Sequence, residues 1–211
     1  MEKKHQVHNL IILDESGSMK YIEDTIIQGF NEVVQTIKGV EQKYPEQEHF
    51  ISFISFNGLG GKVHHFIDPA SKLNQLESRN YQPNASTPLF DAIGLSVNKL
   101  RQVLQEQTDY SVLVTILTDG EENASKEYSG RDIKELIDGL KQNRWTFTYI
   151  GTDHDVEKVA SSLSIDNVLN FEKNEEDIKE MFFKERKARE NYSKKIHLNE
   201  EIIANYFEDT E

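Results

Sequence analysis

Asp14, Ser16 and Ser18 follow directly on the apolar run Leu10-Ile11-Ile12-Leu13. One carboxylate and two hydroxyls, each separated by a single residue at a strand end, crowd oxygen donors into a small space. Oxygen donors suit a hard divalent cation such as Mg²⁺. Zn²⁺ would want nitrogen or sulfur. Two other clusters carry the same chemistry. Thr118-Asp119-Gly120 ends a second apolar run, Val112 to Leu117, and Ser86-Thr87-Pro88 precedes a helical pattern. If the two apolar runs are neighbouring strands, Asp14 and Asp119 stand about one strand spacing apart, ~5 Å. Thr87, at a helix start, leans over the same point. The combined donor set is two carboxylates and three hydroxyls, from Asp14, Ser16, Ser18, Thr87 and Asp119.

Each member has a plainer reading when taken alone. Ser16 or Ser18 suits the cap of the helix that begins near Met19. Thr87 before Pro88 is an ordinary helix start, since proline is favoured at the first helical position. Asp119-Gly120 is a common turn pair. Asp91 serves to complement a helix dipole. Glu15, Glu121 and Glu122 read as an acidic rim around the cluster, and Lys20 is the only cation close to the motif in sequence. His64 and His65 are neighbours on a predicted strand, so they point to opposite faces and do not share a metal.

The elements that must position these residues follow from hydrophobic periodicity. Val7 to Leu13 and Val112 to Leu117 are near-continuous apolar runs without alternation, the pattern of strands covered on both faces in a parallel sheet. Phe50 to Phe56 is a third strand. Asn57-Gly58-Leu59-Gly60-Gly61 then reads as a hairpin into Val63 to Ile67, an antiparallel edge strand. Trp145 to Ile150 and Val168 to Phe171 complete the set. Apolar residues three or four apart mark helices from Met19 to Ile37, Phe90 to Leu104, Ile133 to Leu140 and Val156 to Leu163. Ser129-x-x-Asp132 is a start signal for the third of these. A last helix runs from Asn174 to about Tyr192, with Ile178, Met181 and Phe182 on its packed side and a wet charged face. Gly29 and Gly94 sit inside helical patterns, where close packing of helix on sheet is the expected reason.

Strands alternating with helices predict an α/β fold: a doubly wound, mostly parallel central sheet with one antiparallel edge strand and helices on both faces. In such sheets ligands bind beyond the carboxyl ends of the strands, the layer that holds all three polar clusters. One domain is expected over residues 1–192, including the docked C-terminal helix, with 193–211 as a charged tail that frays at residues 208–211. The chain has 211 residues, a formal net charge of -13 and no cysteine. Absence of cysteine excludes disulfides, thiolate metal sites and cysteine nucleophiles. Acidity argues against nucleic acid and against an anionic membrane surface, both of which attract basic patches. No apolar run approaches a membrane span, and the N-terminal residues lack a signal-peptide core. The expectation is a cytoplasmic protein.

The set Asp14-x-Ser16-x-Ser18, Thr87 and Asp119, in that order and in those contexts, resembles the metal-ion-dependent adhesion site (MIDAS) of von Willebrand factor type A (vWA) domains. The resemblance spans residues 7–171 and points to a compact, stand-alone bacterial member with a Rossmann-like vWA fold. It implies that the hydroxyls of Ser16, Ser18 and Thr87 bind Mg²⁺ (or Mn²⁺) directly, while Asp14 and Asp119 act mostly through water. It also implies an open coordination position for an Asp or Glu of a protein partner, and hence a non-enzymatic binding module. Two rivals stand beside it. One is a structural subunit whose metal only stabilises the fold. The other is a Mg²⁺-dependent phosphatase or nuclease, which lacks a second acid two residues after Asp14 and a phosphate-cradling Gly-rich loop.

Overall fold

The computed structural model describes residues 4–208; residues 209–211, within the stretch expected to fray, lie outside the described residues. Six strands form one sheet in the order β3-β2-β1-β4-β5-β6. They are β1 His5–Asp14, β2 Gln47–Asn57, β3 Gly60–Pro69, β4 Tyr110–Thr118, β5 Trp145–Gly151 and β6 Asn167–Asn170. All neighbours run parallel except β3, which pairs antiparallel with β2 at the edge. The helices are α1 Glu23–Lys43, α2 Leu89–Leu104, α3 Gly130–Lys141, α4 Val156–Ser162 and α5 Glu175–Leu198. No helix among the described residues is long and apolar enough to cross a membrane.

The near-continuous apolar runs are explained by cover on both faces. Leu10 and Ile12 of β1 and Val112, Val114 and Ile116 of β4 pack into a core with α2, α3 and α4. Ile11, Leu13 and Leu117 point the other way, into a core with α1 and α5. Successive side chains of a strand face opposite ways, so a strand between two helix layers has no polar side to show. The register sets Leu13 of β1 beside Leu117 of β4. Asp14 and Thr118 therefore leave the sheet together, at its carboxyl end.

Several local features depart from the sequence reading. The helix expected from Met19 opens instead as a 3-10 turn, Gly17–Ile22, with Met19 N–H bonded to the Ser16 carbonyl at 3.1 Å. Gly29 and Gly94 are packed against side chains rather than sheet: a Cβ on Gly29 would lie 1.9 Å from the Phe182 ring, and one on Gly94 2.6 Å from Tyr128. Gly29 thus lets α5 press Phe182 onto α1. α5 runs six residues past Tyr192, and its expected wet face is interrupted by Glu185 and Arg189, both 1% exposed. Beyond it Ile202 and Tyr206 are buried and pack with Val7, Leu113, Ala188, Tyr192 and Ile196. The expected division between residues 192 and 193 falls inside α5.

Candidate metal centre

The end of β1 is held rigidly before any ligand is considered. Tyr81 Oη donates to the Asp14 carbonyl at 2.7 Å, and Ser16 N–H donates to Asp14 Oδ1 at 2.7 Å. Thr118 Oγ1 donates to Asp14 Oδ2 at 2.6 Å, which ties β1 to β4 through side chains where the ladder stops. Asp14 is fully buried. Burial pushes its carboxyl up to about 6, against the hydrogen bonds from Thr118 and Ser16, and the charge of Asp119 adds to the rise. A carboxylate so placed gains from a nearby cation.

Ser16 Oγ and Ser18 Oγ are 3.2 Å apart, and Ser18 Oγ donates to Asp119 Oδ1 at 2.6 Å. Thr87 reaches the same spot. A Cβ on Gly120 would stand 3.4 Å from Thr87 Oγ1 and 3.7 Å from Ser18 Oγ, so this glycine leaves room between the hydroxyls. The structure thus gathers Ser16, Ser18, Thr87 and Asp119 around one point, with Asp14 one hydrogen bond behind. None of the three hydroxyls caps a helix. Ser16 precedes the 3-10 turn without a side-chain cap bond, and α2 begins after Pro88 with none either. Their lone pairs are therefore not spent on backbone, as a cap would spend them.

Loops around the site are laced together. Gly17 N–H bonds the Ala85 carbonyl at 3.0 Å, and Asn84 N–H bonds the Glu15 carbonyl at 2.9 Å. Thr87 N–H donates to Asn123 Oδ1 at 2.9 Å while Asn123 N–H returns to the Thr87 carbonyl at 3.2 Å. Tyr81, Thr118 and Asn123 were not visible as site residues in the sequence. Only Thr118, inside the Thr-Asp-Gly turn, carried a signal.

Two acids expected at the rim are structural. Glu15 is buried and accepts from Ser55 Oγ at 2.6 Å and Gln82 N–H at 2.7 Å, and it pairs with Lys62. Glu122 accepts from the N–H groups of Phe90, Ala124 and Ser125. Asp91 accepts three N–H bonds from Lys126, Glu127 and Tyr128, pinning the loop that follows β4. His64 bonds Ser55 Oγ at 2.8 Å and His65 bonds Asp68 at 2.9 Å.

One cation arrives that the local sequence did not suggest. Lys173 Nζ lies 2.7 Å from Asp119 Oδ2 and 2.7 Å from Asp153 Oδ2. The nearer candidate, Lys20, pairs with Glu23 instead. Partial burial works against the Lys173 charge, but bonds and charge from Asp119 and Asp153 hold its ammonium above its ordinary value.

The donor set fits a small hard cation: hydroxyl oxygens and two carboxylates, with a glycine where a side chain would intrude. Among the described residues no cluster of three or more His, Cys, Asp or Glu could hold a metal ion. At this site hydroxyls supply three of the five donors and carboxylates only two.

Beside the site opens a groove of about 570 Å³. Ser86 and Pro88, on either side of Thr87, line it together with Ile54, Phe56 and Ala92. Leu59, Val63 and Leu95 also line it, yet are 79%, 51% and 51% exposed.

A family model for the von Willebrand factor type A domain matches residues 10–184. No curated protein sequence matches the chain. Among solved structures, a mutant of the PilB minor pilin from Streptococcus sanguinis aligns with a TM-score of 0.68 at 10% identity, covering 95% of this chain and 65% of that one. The chain thus spans a little under two thirds of the pilin. The SpRpn10 VWA domain aligns with a TM-score of 0.56 at 9% identity, covering 84% of this chain and 93% of that one. Manganese-loaded TRAP protein from Plasmodium vivax aligns with a TM-score of 0.50 at 18% identity, covering 74% of this chain and 63% of that one. At these identities the likeness is one of fold.

Proposed function

The chain belongs to the von Willebrand factor type A domain family, typically protein-interaction modules, and from that premise we propose that it is a metal-dependent protein-binding module and not an enzyme. Asp14, Ser16, Ser18, Thr87 and Asp119 hold Mg²⁺ or Mn²⁺, and the ion offers its open position to an Asp or Glu of a partner protein. The observation that carries this reading is the set of three hydroxyls, idle as helix caps, gathered beside Asp119 and Gly120. Ser18 is exposed, so the arrangement opens to solvent where a partner would approach. Bound Mg²⁺ supplies charge to attract and orient a carboxylate; it keeps its waters reluctantly, which suits aspartates acting through water. The groove beside the site, reached past Ser86 and Pro88, takes an apolar residue that flanks the partner's acid, seated between Leu59, Val63 and Leu95.

Metal binding to the native state alone should raise stability by ~1–3 kcal/mol at a hundredfold excess over the dissociation constant. Thermal melts with and without Mn²⁺ read this directly. Asp14→Ala should stay folded and lose the shift; an unchanged shift would remove Asp14 from the site. Leu95→Ser should keep the shift and weaken capture of the partner. Hydrolytic turnover that vanishes in both Ser16→Ala and Asp119→Ala would overturn the binding reading in favour of a phosphatase or nuclease. A metal shift without any metal-dependent partner would leave the ion a purely structural role.

A further inference from the structure

We propose that Lys173 is a tethered counter-ion of the metal site, a built-in cation that sets how tightly the divalent ion binds. The inference rests on the metal reading above and concerns a residue outside the five-residue motif. The Asp119 carboxylate is completely buried, and its two oxygens are divided between two roles. Oδ1 faces the hydroxyl cluster through Ser18, and Oδ2 faces the Lys173 ammonium. A buried carboxylate without a cation is costly. Lys173 supplies that cation from within the chain, 54 residues from Asp119 in sequence.

The placement is built rather than incidental. Phe171 N–H bonds the Gly151 carbonyl at 3.1 Å, so the chain entering the position is fixed to the end of β5. Asn174 caps α5 through a 2.9 Å bond from Asp177 N–H, so the chain leaving it is fixed as well. The Lys173 side chain is 21% exposed, with Asp153 as its outer partner. A divalent ion entering among the hydroxyls meets Asp119 already half neutralised and a positive charge on the far side of the same carboxylate. Lys173 therefore weakens metal binding, and makes the site depend on a high free metal concentration or on a second anion, such as the partner's carboxylate.

Calorimetric titration with Mn²⁺ tests this. Lys173→Met should bind Mn²⁺ about ten- to a hundredfold more tightly than the unmodified chain, as expected for removing one charge a few ångströms from a divalent ion in a partly screened site. Lys179→Met, an equal charge change at an exposed pair with Glu175, should leave affinity unchanged. Asp153→Asn keeps Lys173 and should weaken Mn²⁺ severalfold, an effect that should shrink in the Lys173→Met background. This second variant carries the test should Lys173→Met fold poorly. Mn²⁺ binding with the same or lower affinity in Lys173→Met overturns the counter-ion role and leaves the metal site standing. No Mn²⁺ binding to any of these proteins overturns the metal reading itself.

Discussion

Two clusters of buried charge divide this protein, and they are finished to different degrees. Beneath α5, Arg189 donates to Glu185 Oε1 at 3.0 Å, to Asn9 Oδ1 at 2.6 Å and to Thr115 Oγ1 at 3.0 Å. Tyr206 adds a 3.3 Å bond to the same Glu185 oxygen. One cation meets one anion, and both are 1% exposed. At the carboxyl end of the sheet, Asp14 and Asp119 share a region with one half-buried lysine, which is itself divided with Asp153. Of its hydroxyl residues Ser18 is exposed while Ser16 and Thr87 are buried, and Ser18 Oγ bonds Asp119 and lies 3.2 Å from Ser16 Oγ. The same kinds of residue thus close charge for charge in one place, although Glu185 Oε2 is left without a hydrogen bond, and stay open in the other, where two buried carboxylates have one shared lysine. A charge-matched cluster is architecture; the unmatched one is where we propose that a cation binds.

The largest effect should come from removing the closed region altogether. Truncation after Phe171 deletes the buried side chains of Ile178, Met181, Phe182, Tyr192, Ile196, Ile202 and Tyr206. At ~1.5–3 kcal/mol per large apolar side chain the loss is on the order of 10–20 kcal/mol, as large as the ~5–15 kcal/mol that holds a typical domain together. The truncated chain should show no cooperative melt. If it melts at the original temperature, α5 is a partner-binding arm and the comparison dissolves.

A narrower break targets the pair itself. Arg189→Met leaves Glu185 buried without its cation, a loss worth ~3–5 kcal/mol. Denaturant unfolding should show that drop, and Glu185→Gln added to it should recover part. Metal binding should survive in whatever fraction is folded, because no residue of this cluster belongs to the five-residue set.

Acid should sharpen the contrast further. His8 is stacked on Phe50 with no partner for either ring nitrogen, and burial, with a smaller push from His5, lowers it to about 4. His49 is lowered to about 3 by burial first and then by the charges of Arg189 and His5. Both start from 6.5 when unfolded, so the unfolded chain binds more protons as pH falls. Their stabilising share is complete above pH 6.5 and drains away below it, by on the order of 2 kcal/mol for each histidine down to pH 5. His8→Phe should flatten the pH profile of stability; a profile that stays as steep assigns the acid loss to other groups.

How much of this was legible follows from where each signal resides. The central strands announced themselves because a strand covered on both faces has mostly apolar positions, as in Leu10–Leu13 of β1 and Val112–Val114 of β4. The five candidate ligands sit on strand ends and a helix start, where residue type and spacing are local. Glu185 and Arg189 gave no such sign. In sequence they belong to a mixed-charge helix, and only Asn9, 180 residues away, together with Thr115, turns them inward. Lys173 was hidden in the same way. Local patterns report which face a segment buries, but they do not report which distant group will neutralise a charge.

The smallest predicted effect separates site from scaffold most cleanly, because it compares two serines at two helix starts. Ser129 forms a full capping box with Asp132, its side chain accepting from Asp132 N–H while Asp132 accepts from Ser129 N–H. Ser16 holds the equivalent position before its 3-10 turn and caps nothing. Its hydroxyl lies 3.2 Å from Ser18 Oγ and also bonds the Asp14 carboxylate. Ser129→Ala should therefore cost ~1 kcal/mol of stability and leave the Mn²⁺-induced shift in melting temperature intact. Ser16→Ala should abolish the shift, while its loss of a buried hydroxyl changes the metal-free melt by no more than ~1 kcal/mol. The reading fails if Ser16→Ala destabilises the metal-free protein as much as Ser129→Ala does and keeps its response to Mn²⁺. Ser16 would then be one more part of the scaffold, and the open end of the sheet would be closed after all.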